Sequence, residues 1–459
     1  TLLFLRGFPM LLRLGARLAE RSRSATLTIA LAQIARAPRQ SLRMTTLLSL
    51  ALAFAIFTLV FTASQSQRVP DVAAYQAGAD FRGSITLSSN AFPAFAAETA
   101  AYRSIPGVIS ATIGYSSRLS ILENGQGVGI DLKAVDADTF AQTAIWMPGD
   151  SPQSLSSLMR ELMAQRKLAV DRGYVPAIVD AAAWNVLHLK PGHFFSMSDV
   201  EGNVNFLVIA EVQHIPAIND STDPTTGYAA AGGILVDYRT YAQVFALLNG
   251  DVTNNVTISP GEVWLRTRDD AASVASVRRA LNGGKLDLND LIDRRAIIGT
   301  LRDDPLYLDL IGILVLGATT ALLLALIGDL TASWLNARGR LTNFAMLRAL
   351  GSTPRQIAGV LAWEQSIVYM LALVLGLVFG VLLSTLTLPS LIFTSVNTSQ
   401  ISSDNFYALQ SVPPIQMVFP ISLFLALGVV VAICLVALAM MVYVVSQPSM
   451  SQVLRLNED

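Results

Sequence analysis

Cysteine occurs once in the 459 residues, histidine three times, and charged residues make up only 14% of the chain. Cys434 lies inside an apolar run, so no disulfide can staple the hydrophilic part of the molecule, which must rely on an apolar core. A thiolate metal site is excluded for the same reason. His188 and His193 flank Lys190-Pro191-Gly192 in what reads as a strand–turn–strand, and His214 stands apart; zinc would need further ligands. No phosphate-binding GxxxxGK[ST] run exists, since Asn282-Gly283-Gly284-Lys285 lacks the spacing. There is no Gly-x-Ser-x-Gly elbow and no His-Glu-x-x-His. The expectation is a chain with no catalytic residues, metal or cofactor of its own. A net charge of −1 gives no reason to expect a nucleic-acid partner.

What the chain has instead is four long uncharged stretches at uneven intervals: Met44–Gln67, Leu310–Gly328, Gln365 to about Leu388, and Ile415–Val445. Each is long enough to cross a bilayer as a helix, which takes roughly 20 residues. The expected fold class is therefore a membrane protein of four transmembrane helices, with a large mixed α+β domain inserted between the first two. Arginines crowd the N-terminal segment (Arg6, Arg13, Arg17, Arg21, Arg23, Arg36, Arg39, Arg43) and the loop between the second and third spans (Arg338, Arg340, Arg348, Arg355). The loop between the third and fourth spans has only Asp404. Arg-rich short loops stay in the cytoplasm, which places both termini inside and the large domain outside. The expected layout is 1–43 as the end of a preceding segment plus a cytoplasmic interfacial helix, 44–64 as span one, and 65–304 as the extracytoplasmic domain. Span two follows at 305–330, a cytoplasmic loop at 331–361, span three at 362–388, an outer loop at 389–413, span four at 414–445 and an inner tail at 446–459.

Thr1–Leu14 reads as the inner end of a helix, and the chain as part of a longer protein. Ala25–Arg43 alternates apolar and basic positions at helical spacing, which fits a helix lying on membrane lipid or a basic linker. In the hydrophilic segment, Phe81–Leu87, Val108–Tyr115, Val128–Val135, Phe206–Val212, Gly233–Asp237 and Glu262–Thr267 read as strands. Pro93–Arg103, Pro152–Arg166 and Asp269–Leu281 read as helices. Asp304-Pro305 is a helix start, an N-cap followed by a first-turn proline. Asp309 and Asp329 bracket the second span; an ionisable group in a membrane helix points to function, but both sit near the ends, where water is reachable and topology and capping are the preferred account.

The inner loop has the sharpest punctuation. Arg340–Leu350 is helix-compatible, Gly351 is a left-handed stop, and Thr353-Pro354-Arg355-Gln356 reads as N-cap, first-turn proline and capping-box glutamine. A stop and a start this close make a tight helical hairpin displaying Arg340, Phe344 and Arg348, or else an Arg-rich loop that only sets topology. Gly376 with Gly380 and Ala51 with Ala55 are small-xxx-small pairs, which serve as helix-packing faces or simply reflect how common small residues are in membrane helices.

The run Arg340-Leu341-Thr342-Asn343-Phe344-Ala345-Met346-Leu347-Arg348-Ala349-Leu350-Gly351-Ser352-Thr353-Pro354-Arg355-Gln356-Ile357, with Glu364 shortly after, resembles the inner-loop signature of the MacB/FtsX-like ABC transporter permeases. The four-span layout and the tail Gln447-Pro448 to Leu454-Arg455 are similar too, as are Val135–Phe140 and Leu189–Gly192. The family usually has Glu where Asn343 stands. The resemblance implies the C-terminal half of a double-length permease in a bacterial cytoplasmic membrane. It implies a separate cytoplasmic ABC ATPase that holds ATP and magnesium, and a second permease half or subunit. The ATPase would be met by Arg340, Phe344, Leu347, Arg348, Ala349, Leu350, Gly351, Ser352, Pro354, Gln356, Ile357 and Glu364. ATP-driven movement would be passed to the outer domain, which acts on an extracytoplasmic substrate or protein partner. The alternative is an ATP-independent membrane-anchored receptor or scaffold, which has no need of the stop–start hairpin.

Overall fold

The computed structural model describes residues 30, 38–85, 99–123, 126–199, 202–218, 229–250, 258–282, 286, 288–339, 351, 353–391 and 417–446. The chain divides into two compact units. One comprises Thr1–Ser66, Leu308–Phe393 and Gln416–Asp459; the other comprises Gln67–Tyr307 and Thr394–Ile415.

Helix α1 runs over Pro38–Ala77, with Pro38 in its first turn, where a missing N–H costs nothing. Sequence alone separates an interfacial helix from a first span at Met44; from Pro38 onward the two are one continuous helix. The expected interfacial segment before Pro38 lies outside the described residues, apart from Ala30.

The α/β unit then contributes strands β1 (Phe81–Ser84), β2 (Val108–Glu123) and β3 (Gln126–Val135), followed by helices α2 (Ala137–Thr143) and α3 (Leu155–Arg172). Next come β4 (Val175–Asp180), α4 (Ala181–Val186), β5 (Phe194–Asp199), β6 (Gly202–Val212), β7 (Ala229–Asp237) and α5 (Tyr238–Asn249). The unit ends with β8 (Glu262–Thr267), α6 (Ala271–Leu281), β9 (Asn289–Asp293) and α7 (Arg294–Arg302). The strands form one sheet in the order β3-β7-β4-β6-β5-β2-β8-β1-β9, and β3 pairs with β2 as well. The first six strands therefore make a closed circuit, joined between β5 and β2 at Ser120–Ser198. The long strand β2 serves both parts: its C-terminal half pairs with β3, and its N-terminal half with β8.

Alternation sorts the apolar side chains to two faces. Ile130, Leu132, Ala134, Val204, Phe206, Ile234 and Val236 join Tyr241, Val244 and Phe245 of α5 in one core. Val135, Ile178 and Leu235 join Phe140, Leu158, Met159, Leu162 and Trp264 in the other, under α2 and α3. Strand β4 is buried along its whole length, which is why it reads as an unbroken apolar run rather than an alternating one. Aspartate closes several strands and caps the helix that follows. Asp180 accepts the Ala183 N–H at 2.8 Å and Asp237 the Thr240 N–H at 3.0 Å. Asp293 accepts the Arg295 N–H at 2.9 Å.

Three helices complete the other unit: α8 (Pro305–Gly339), α9 (Pro354–Leu391) and α10 (Ile421–Ser446). With α1, all four are long and apolar enough to cross a membrane, over Leu42–Ala77, Tyr307–Ala332, Gln356–Leu388 and Ile421–Met440. At 1.5 Å per residue, the 38 residues of α9 span roughly 57 Å, well beyond the ~30 Å hydrocarbon layer. Leu316 and Leu324 of α8 and Ile421 and Leu425 of α10 are exposed, as lipid-facing leucines and isoleucines must be, whereas Val60 and Phe61 of α1 are fully enclosed.

Candidate functional site: the start of helix α9 and its neighbours

Gly351 has φ +95°, a conformation that a side chain disfavours, and it sits just ahead of α9. The turn into the helix is closed reciprocally. The Thr353 N–H donates to Gln356 Oε1 at 3.0 Å, and the Gln356 N–H donates to Thr353 Oγ1 at 3.4 Å. This capping box satisfies two backbone donors that the first helical turn otherwise leaves without partners. Pro354 occupies the first helical position. Ile357, Ala358 and Leu361 then turn inward, so the start of α9 is anchored by burial within one turn.

Of the residues that the family resemblance assigns to ATPase contact, Gly351, Pro354, Gln356, Ile357 and Glu364 are described. Arg340, Phe344, Leu347, Arg348, Ala349, Leu350 and Ser352, with Asn343, lie outside the described residues. Glu364 is 4% exposed, so within this unit it is an interior residue.

Deeper along α9, Tyr369 Oη donates to Asp329 Oδ2 of α8 at 2.7 Å. Asp329 is only 7% exposed. The expectation that it merely marks a wet helix end is corrected by this: it is enclosed and tied to the neighbouring helix. Gln365 is one turn before Tyr369 on the same helix face and is 4% exposed. Asp329 Oδ1 and Gln365 Oε1 are both enclosed without a hydrogen-bond partner. The available signal in sequence was a carboxylate within an otherwise uncharged run and a Gln/Tyr pair at helical spacing.

The glycines of α9 meet α1. A Cβ on Gly376 would come within 2.7 Å of Leu52, and one on Gly380 within 2.8 Å of Ile56, with the Ala53 carbonyl 3.2 Å away. Ala51 and Ala55 are not among the nearest neighbours of either glycine; Leu52, Ala53 and Ile56 are. The Val418 N–H donates to Ser64 Oγ at 3.1 Å, tying the approach to α10 back onto α1.

In the α/β unit, charges are enclosed in pairs. Lys133 Nζ donates to both oxygens of Glu262 at 2.9 Å and to Ser116 Oγ at 2.7 Å, and lies 5.8 Å from the Trp264 ring centre. Burial lowers the Lys133 pKa despite the adjacent carboxylate. Burial pushes Glu262 up, but Lys133 and Arg82 outweigh it and hold it below its ordinary value. Asp237 is 1% exposed and receives Arg166 Nη2 at 2.7 Å and Nε at 2.9 Å. Asp150 is fully buried, and burial pushes its pKa up to about 6, against the pull of the Met147 N–H and the charge of His214. His188 follows helix α4 in a positive-φ turn, and His193 leads into β5, so their setting is helix–turn–strand rather than strand–turn–strand. Among the described residues no group of three or more His, Cys, Asp or Glu could hold a metal ion.

Residues 315–450, which take in most of α8, the inner loop, α9 and α10, match the FtsX-like permease C-terminal family. The C-terminal part of this chain is thus similar to the FtsX-like permeases. With that match and four helices long and apolar enough to cross a bilayer, this is a membrane protein. No curated protein sequence matches it. Two solved structures are similar at 11% identity. One is the extracellular domain of the noncanonic ABC-type transporter YknZ from Gram-positive bacteria, with TM-score 0.24, covering 43% of this chain and 88% of that one. The other is the periplasmic region of MacB from Actinobacillus actinomycetemcomitans, with TM-score 0.26, covering 50% and 95%.

Proposed function

We propose that this chain is the membrane subunit of an ABC transporter, in which a separate cytoplasmic ATPase binds and hydrolyses ATP. The segment around Gly351 receives that partner, and the α/β unit, placed outside the cell membrane, carries out the work on a lipid, lipoprotein, peptide, drug or envelope protein. Both termini and the 331–361 loop face the cytoplasm, as the arginine distribution requires. The observation that carries the reading is the family match over 315–450, which includes the inner loop. The capping box supports it physically. A helix start held by Thr353 and Gln356 and anchored by Ile357 and Leu361 gives a push on the loop a fixed point from which to move α9. The second permease half is supplied by another subunit or by sequence joined to this one.

The test is purification of the intact protein in mild detergent with whatever accompanies it. An ABC ATPase in stoichiometric amount, lost on Leu350→Asp and Gly351→Pro while insertion is retained, is the expected result. A well-folded protein with no ATPase would overturn the reading in favour of an ATP-independent receptor.

A further inference from the structure

Chain entry to and exit from the α/β unit occur side by side. Strand β1 starts just after α1 ends, and β9 passes through α7 into α8. The two strands pair antiparallel, with Phe81 opposite Asp293 and Arg82 opposite Ile292, so both connections leave the unit at the same end of the ladder. That ladder is short and shifts register between Arg82 and Ser84, which makes it a poor fastening by itself. Asp80 stands at this end. It is 3% exposed, and its carboxylate is almost fully engaged. Oδ1 accepts Arg294 Nε at 3.1 Å and Nη2 at 2.9 Å, and Oδ2 accepts the Thr267 N–H at 2.9 Å. The main chain adds the Asp80 N–H to the Leu265 carbonyl and the Arg294 N–H to the Asp80 carbonyl, both at 3.1 Å. Arg295 stacks a second layer on the first: Nη1 donates to Thr267 Oγ1 at 3.2 Å, Nη2 lies 3.7 Å from Asp80 Oδ1, and Nη2 also binds Asp269. One buried carboxylate thus joins the entering strand, the exiting helix and β8, the strand that connects them to β2 and the closed circuit.

We propose that Asp80, Arg294 and Arg295 form a clasp that makes the two membrane-linked connections move as one and passes their displacement through β8 into the closed circuit of strands. These are positioning residues; they touch no substrate. A guanidinium on a buried carboxylate suits the task because two charge-assisted hydrogen bonds converge on Oδ1 and leave Oδ2 free to hold β8 through the Thr267 N–H. The proposal rests on the reading that a partner ATPase drives this chain.

The experiment is amide hydrogen exchange on the complete complex with its ATPase, with and without a non-hydrolysed ATP analogue. In the wild type a nucleotide-dependent change is expected in β9 and α7 and also in β3, β4 and β7. Asp80→Asn keeps an acceptor for the Thr267 N–H but removes the charge, and Arg294→Met removes the guanidinium. Both should retain ATPase activity and the change in β9 and α7 while losing it in β3, β4 and β7. Arg294→Lys should restore it in part and also serves if Arg294→Met does not fold. Arg166→Met strips the buried Asp237 of its ion-pair partner elsewhere in the unit and should leave the change intact despite its own loss of stability. Persistence of the change in β3, β4 and β7 in the clasp variants, or its equal loss in Arg166→Met, would overturn the clasp. A wild type with no nucleotide-dependent change anywhere in the unit would overturn the reading that the ATPase drives this unit, and the clasp with it.

Discussion

The α/β unit and the membrane unit solve the problem of a specific interior in opposite ways. In the first, enclosed charges are numerous and almost every one is answered: Asp237 by Arg166 and Thr240, Asp180 by Ala183 and Gly233, Lys133 by Glu262 and Ser116. In the second, specificity comes from the absence of side chains, at Gly376 and Gly380, together with the Asp329–Tyr369 contact between α8 and α9. The difference follows from the solvent. Water rewards the burial of apolar surface indiscriminately, so the α/β unit uses directional polar contacts to select one arrangement. Lipid offers no such reward to apolar contacts between helices, so close approach and dispersion must hold them.

Breaking the polar side of this contrast should have the largest effect. Asp237→Ala leaves the half-buried Arg166 with Asp138 alone and removes a helix cap as well, and about 2–5 kcal/mol of the unit's stability should go with it. Pulse proteolysis of the intact protein would measure it. Asp150 is the exception that sharpens the rule, because its Oδ1 has no partner. Its folded pKa of about 6 lies above the ordinary value of 3.8, so the folded state holds the proton more tightly. The resulting stabilisation is complete below pH ~4 and lost as pH rises through about 6. Asp150→Asn should therefore stabilise the unit at pH 7.5, by at most about 3 kcal/mol for two pKa units, with the advantage vanishing below pH 4. Melting curves across that range would show it; a pH-independent difference would contradict it.

On the membrane side, Gly380→Leu must displace Ile56 and the Ala53 carbonyl, and overpacking of this kind costs about 1–3 kcal/mol. Thermal unfolding in detergent should register that loss, whereas Gly428→Leu, at a glycine with open space around it, should be nearly neutral. Smallest of all, Thr353→Ala removes an exposed cap worth about 1 kcal/mol and should fray the start of α9, read as faster amide exchange over its first turn.

The membrane helices were legible because an uninterrupted apolar run needs no tertiary information. The capping box was legible because Thr353, Pro354 and Gln356 act on their own backbone. In the α/β unit, β8 coincides with its sequence reading at Glu262–Thr267, and α6 differs only in having Asp270 as cap, so the helix starts at Ala271. The strand expected at Phe81–Leu87 is shorter, ending at Ser84, and the one at Val108–Tyr115 is much longer, because β2 gains a second partner in β3 beyond Gly114. The helix expected at Pro152–Arg166 starts later, at Leu155 behind the Ser154 cap, and runs on to Arg172 before Gly173 stops it. The sequence reading missed β4, α2, α4, α5, β9 and α7 altogether. Asp180, Asp237 and Asp293 were the overlooked marks, each ending a strand and capping a helix. Closure of the strand circuit, the Asp329–Tyr369 tie and the Asp80 clasp were invisible for a different reason. Each joins residues far apart in the chain, and nothing local announces the partner.

That long reach has a consequence for how the molecule is made. Strand β1 is synthesised early, but it pairs with β8 and β9, and Asp80 finds Arg294 only 214 residues later. A ribosome delivers these segments in order, and contacts of such separation form slowly. The nascent unit therefore waits with an unpaired strand until the residues just ahead of α8 emerge. Its maturation is bound to the delivery of the last stretch of its own sequence, immediately ahead of the second membrane helix.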